Sequence, residues 1–145
     1  MAVVYIWDEN FDSWGHASLE VDDVYISWWP TDSKSKSYMK KKKSEGRTKA
    51  SLPVSYTDER NNYTGRKADH VFHIPSSKID ISKIKEWWND KAKSGYNFLV
   101  NNCCDIVVKA LRAGGAFIPE EPIRTPEDLV IECKVLTGEY TCVLM

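Results

Sequence analysis

The chain has 145 residues, 42% of them hydrophobic and 28% charged, with a formal net charge of −1. That is the composition of one globular domain able to bury a core, and it excludes a disordered or fibrous chain. The opening "MAVVYIW" lacks the basic start of a secretory signal, its apolar run stops at Asp8, and nothing approaches the ~18 apolar residues of a membrane span.

In chain order, "AVVYIW" (2–7) is a β-branched and aromatic run that predicts a strand. "HASLEV" (16–21) alternates, and "VYISWW" (24–29) follows the turn signal Asp22-Asp23, so the two predict a hairpin. Residues 31–66 are polar and without periodicity, which predicts a long loop or insertion. "HVFHI" (70–74) is a further strand, ended by Pro75. In "SKIDISKIKEWWNDKAKSG", Ile81, Ile84, Trp88 and Ala92 share a helical face and Gly95 is the stop. Of the tryptophan pairs Trp28-Trp29 and Trp87-Trp88, each is expected to place one ring in the core.

A second helix is predicted from the cap Asn101 or Asn102, with Cys103, Ile106, Val107, Ala110 and Leu111 as its buried stripe and Gly114-Gly115 as its end. "TPEDL" starts a third: Thr125 caps it, Pro126 takes the first position, and Asp128 completes a capping box. Past Gly138, "EYTCVLM" fits a last strand. The sum is one α+β domain over 1–145, a small antiparallel sheet packed against helices.

Four cysteines, Cys103, Cys104, Cys133 and Cys142, lack a secreted-framework spacing. They read as free thiols in a reducing, cytoplasmic setting. Adjacent cysteines make a strained bridge, which argues against a Cys103–Cys104 disulfide. At the first turn of a helix a thiolate is stabilised by the dipole and by unpaired backbone N–H groups, so its pKa falls. Cys103 lies on the inward stripe, whereas Cys104 is about 100° round the helix. Cys103 is therefore the candidate nucleophile and Cys104 reads as packing, although buried free cysteines are most often plain core residues. An adjacent Cys pair with three scattered histidines does not have zinc-ligand spacing, so no metal or cofactor is expected.

A thiol nucleophile needs a base, normally a histidine oriented by a third polar group. His16 follows Gly15 at the start of a strand, and His70 and His73 sit on opposite faces of another. At this point the blocks "WGHASLEVDDVYISWWP" and "YNFLVNNCCDIVVKALRAGG" matter together. They resemble the circularly permuted papain-like thiol enzymes: the permuted NlpC-type hydrolases, the lecithin:retinol acyltransferase-like acyltransferases and the PPPDE-type peptidases. In that superfamily a strand bearing Gly-His precedes an Asn-Cys pair that opens a helix.

The resemblance implies the permuted papain-like (NlpC-type) fold, with Cys103 as nucleophile, His16 as general base and Asn102 as an oxyanion-hole candidate. The chain departs from the pattern at the third polar residue. The acyltransferase branch has a second histidine on the neighbouring strand, where this chain has Ser27 or Trp28. Glu20 and Ser18 on the strand face of His16, Ser27, and His70 or His73 are the candidates. The implied activity is cysteine-dependent hydrolysis through an acyl-enzyme. A thiol peptidase or isopeptidase is the first reading, and a lipid acyltransferase or phospholipase the second. A non-catalytic binding domain on the same fold is the third. The corresponding partners are a protein, peptide or lipid acyl substrate.

The terminal "CVLM" (142–145) meets the C-a-a-X requirement for farnesylation on Cys142, and it equally fits a terminal strand. The tetralysine Lys40–Lys43 would add a second membrane-surface signal of about 1 kcal/mol per residue, although lysine runs in loops are usually just solvated. Nucleic acid is the poorer partner, since the pI is about 6.3 and no base-reading module is visible.

Overall fold

Alternating apolar strands, a tight acidic turn and three capped or Gly-terminated helices build the molecule, seen in a computed structural model that describes residues 1–10, 15–29, 52–91, 103–119 and 125–139. Strands β1 (Ala2–Trp7), β2 (His16–Val21), β3 (Val24–Ser27) and β4 (His70–Ile74) form one antiparallel sheet in the order β3-β2-β1-β4. The β2–β3 turn is made by Asp22-Asp23, with Asp22 at φ 51°, a left-handed conformation that aspartate tolerates better than most residues.

Register divides the sheet into two faces. Trp7 opposes His16, Tyr5 opposes Ser18, and Ser18 opposes Ser27, so these side chains share one face. Val4, Ile6, Leu19 and Ile26 lie on the other, in the apolar core. Three helices complete that core: α2 (Ile81–Lys91), α3 (Cys103–Ala113) and α4 (Pro126–Leu136), with α3 against β2, α4 against β1 and β4, and α2 against α3. Ile84, Ile106, Val107, Leu111 and Leu129 are fully buried there, and Trp28 meets Trp88 edge-on at 5.6 Å. The expected box on α4 is formed: Thr125 Oγ1 accepts from Asp128 N and the Asp128 side chain accepts from Thr125 N.

The polar stretch departs from expectation. Its described part, 52–66, carries a short helix α1 (Tyr56–Glu59) that runs into one π-helical turn, Arg60–Thr64. Ser55 caps α1 by accepting from Asp58 N at 3.1 Å. Tyr56 stacks on Tyr5 at 4.1 Å, so this segment covers the sheet face that the other helices leave open. A second difference is that Trp28 and Trp29 are both buried, where one of the two was expected outside. The expected caps Asn101 and Asn102, Ala92 and Gly95, Lys40–Lys43, and the terminal segment with Cys142 lie outside the described residues.

Candidate active site

Gly15 fixes where His16 begins. Its φ of 82° belongs to the left-handed region, and a Cβ there would stand 2.5 Å from Trp7 O and 2.8 Å from Pro126 Cγ. The chain therefore passes tightly between β1 and the start of α4 before entering β2. Glu9 and Pro126, which press on Gly15, also line a cleft of about 640 Å³. Strand β3 ends opposite Ser18, so His16 and Ala17 extend past it. Cys103, the first residue of α3, occupies that place: the Ala17 amide donates to its sulfur, and the His16 ring is its charge partner.

Behind the ring stands Glu59, the last residue of α1, with no solvent exposure. His16 Nε2 donates to Glu59 Oε2 at 2.9 Å. The same oxygen accepts from Trp29 Nε1 at 2.7 Å and from the Ser27 hydroxyl, while Oε1 accepts from Tyr25 OH at 2.7 Å. Ser18 Oγ lies 2.7 Å from that phenol, and Ser27 Oγ lies 3.1 Å from His16 Nε2. The imidazole is held between the rings of Trp29 and Trp7, at 4.2 and 5.5 Å. With Nε2 engaged by Glu59 and Ser27, and Nδ1 buried and making no hydrogen bond, Nδ1 is the nitrogen left to face Cys103.

The charges follow from this geometry. For His16, burial is the largest influence and favours the neutral ring, but Glu59 and the Cys103 thiolate together outweigh it and raise the pKa from 6.5 to about 10. Burial likewise opposes the Glu59 carboxylate, yet His16, Ser27 and Trp29 hold its pKa below the usual value. The Cys103 pKa is lowered, first by a hydrogen bond from the neighbouring Cys104 thiol, then, against the cost of burial, by His16 and the Ala17 amide. The Cys104 pKa is raised, first by that same bond to Cys103 and then by burial. An imidazolium lies between a thiolate and a carboxylate, and each favours the charge of the next.

Of the residues singled out in the sequence, the structure brings together Cys103, His16 and Ser27. It places the other third-residue candidates elsewhere. Glu20 accepts from Tyr5 OH at 3.1 Å, because it stands two residue pairs along β2 from His16. His70 pairs with Asp8 at 2.8 Å on the rim of the cleft, and His73 points outward from β4. Ser18 reaches the site only through Tyr25. Asn102 and Cys142 lie outside the described residues. Glu59 was missed because it falls in the stretch read as a loop. Ser55 with Asp58 three residues on is the capping signature that could have placed a helix start there.

Among the described residues no three His, Cys, Asp or Glu side chains are grouped to hold a metal ion. Nor is any helix of those residues long and apolar enough to cross a membrane. No protein-family model matches the chain, and neither does any curated protein or any solved structure.

Proposed function

We propose that the protein is a cysteine-dependent hydrolase acting through an acyl-enzyme, a thiol peptidase or isopeptidase on a permuted papain-like domain. The observation that carries this reading is the buried series Cys103–His16–Glu59, in which three separate elements deliver nucleophile, base and orienting carboxylate to one point. Cys103, as thiolate, attacks the substrate carbonyl carbon. The imidazolium gives its Nδ1 proton to the departing amine, leaving a thioester on Cys103 and a neutral ring. His16 then takes a proton from water, which attacks the thioester, and Cys103 leaves as thiolate. Glu59 keeps Nε2–H engaged throughout, so that Nδ1 always faces the sulfur. A binding domain with a decayed site drew its support from the unassigned third residue, and Glu59 supplies that residue.

An activated ester tests the reading without knowledge of the natural substrate. Wild-type protein mixed with p-nitrophenyl acetate is expected to give a burst of nitrophenol, an acetyl group on Cys103 by peptide mass mapping, and slow turnover. Cys103→Ala is expected to lose the burst and His16→Ala to lose most of it. Equal, slow acetylation of Cys103, Cys104 and Cys133 with no burst would refute the proposal.

A further inference from the structure

The run from Tyr25 to Trp29 sends every second side chain to one carboxylate. Tyr25, Ser27 and Trp29 alternate toward the face that α1 covers, and each donates to Glu59. The donors are divided unequally between its two oxygens. Oε2 accepts from His16, Ser27 and Trp29, whereas Oε1 accepts from Tyr25 at 2.7 Å. A phenol has one proton, and Tyr25 gives it to a carboxylate that only accepts. The Ser18 hydroxyl, 2.7 Å from the phenol oxygen, is therefore the donor to Tyr25. The bonds run one way, from Ser18 to Tyr25 to Glu59, and meet the His16 donation from the other side. All four residues are buried, and consecutive bonds of one direction strengthen each other in a dry site. Burial and the Glu59 charge also push the Tyr25 pKa well above its ordinary value, so the phenol keeps its proton.

We propose that Tyr25 is a positioning residue for His16: its hydroxyl, itself held by Ser18, tethers Glu59 Oε1 so that Oε2 stays aimed at His16 Nε2. The proposal rests on the hydrolase reading of Cys103 and His16 and adds a residue to it. Glu59 ends a four-residue helix, and the last torsion of a glutamate side chain is broad and weakly restricted. Donors at Oε2 fix one atom, and the donor at Oε1 fixes the plane of the carboxylate. That hold matters most after the imidazolium has given up its Nδ1 proton, because a neutral ring binds the carboxylate less strongly than a charged one. A carboxylate free to turn supports the imidazolium less, and with it the thiolate alongside. Tyr25 acts through Glu59 and takes no part in bond making.

The test is Tyr25→Phe, which keeps the ring and removes the hydroxyl, made in wild type and in Glu59→Gln, with folding checked by circular dichroism. The rate of Cys103 alkylation by iodoacetamide is measured against pH by peptide mass mapping, beside the burst with p-nitrophenyl acetate. Tyr25→Phe is expected to raise the midpoint by about half a pH unit, which is about a threefold slower reaction on the acid side, and to slow the burst. In Glu59→Gln there is no carboxylate charge to aim, and Tyr25→Phe is expected to add nothing. Ser18→Ala is expected to shift the midpoint the same way by less. If Tyr25→Phe leaves midpoint and burst at wild-type values, or shifts the midpoint equally in Glu59→Gln, Tyr25 is packing. The proposal is then overturned while the hydrolase reading stands. Should a Tyr25→Phe variant not fold, Ser18→Ala decides, and a wild-type profile from it overturns the proposal. A wild type that shows no burst and titrates Cys103 as an ordinary thiol overturns both.

Discussion

The β2–β3 hairpin and the segment 52–66 meet at His16, and they became legible in opposite ways. The hairpin has strict alternation and a turn signal, so its strands follow from period alone, which also sets His16 on the polar face with Ser18 and Glu20. The segment has neither: Glu59 is an acid among polar neighbours, and nothing periodic marks it for burial. What buries Glu59 is the hairpin itself, because Tyr25, Ser27, Trp29 and His16 all point donors at one carboxylate. Apolar burial is encoded locally and repeatedly, whereas burial of a charge is encoded by distant partners that must be counted together.

Substitutions at the junction separate these two kinds of burial. The largest effect is expected from Glu59→Leu, which leaves the His16 charge and three donors without their acceptor. It should cost about 3–5 kcal/mol in urea unfolding and abolish selective labelling of Cys103. If stability is retained and Cys103 still labels selectively, the segment is only a cover.

The next effect is in pH. His16 has a folded pKa of about 10 against 6.5, so its contribution to stability is complete below pH 6.5 and is lost as pH rises through its folded value. Cys103 has a lowered pKa, so its contribution is present above the ordinary thiol range and lost as pH falls through its folded value. Between those limits the two slopes oppose each other in wild type. In a Cys103→Ala background only the histidine half remains, with its upper limit drawn below about 10 by loss of the thiolate. Urea midpoints of that variant are expected to fall as pH rises from 6.5, and adding Glu59→Gln should flatten the fall.

Smaller changes follow. Ser27→Ala removes one donor from a carboxylate that keeps three others, and is expected to cost about 1 kcal/mol in thermal or urea unfolding with a modest loss of Cys103 reactivity. His70→Ala and His73→Ala, on the far edge of the sheet, should stay within about 0.5 kcal/mol and leave Cys103 labelling unchanged. A strong loss of labelling from either would move the orienting role off Glu59.

Much of the fold could be read from the sequence for the same reason as the hairpin. The four strands, the acidic turn and the Thr125–Asp128 box are local patterns, and the structure contains them. The buried stripe Cys103, Ile106, Val107, Ala110 and Leu111 is also present, but Cys104, Asp105 and Val108 are buried beside it. Helical period separated the two thiols by face, yet it could not show that their pKa values are pushed in opposite directions, since that depends in part on charges brought from β2 and α4. In the same way Trp29 lies inside because Glu59 accepts from its indole N–H, a partner thirty residues away in sequence.

The central claim is that Cys103 rests as a thiolate beside a His16 imidazolium held by Glu59. The rate of iodoacetamide alkylation of Cys103 against pH, in wild type and His16→Gln, tests it most directly. The account predicts that at about pH 6 Cys103 is alkylated well ahead of Cys104 and Cys133 in wild type, and that His16→Gln moves its midpoint up toward the ordinary thiol range. A wild-type Cys103 that labels only above about pH 8, with the same midpoint in His16→Gln, would contradict it.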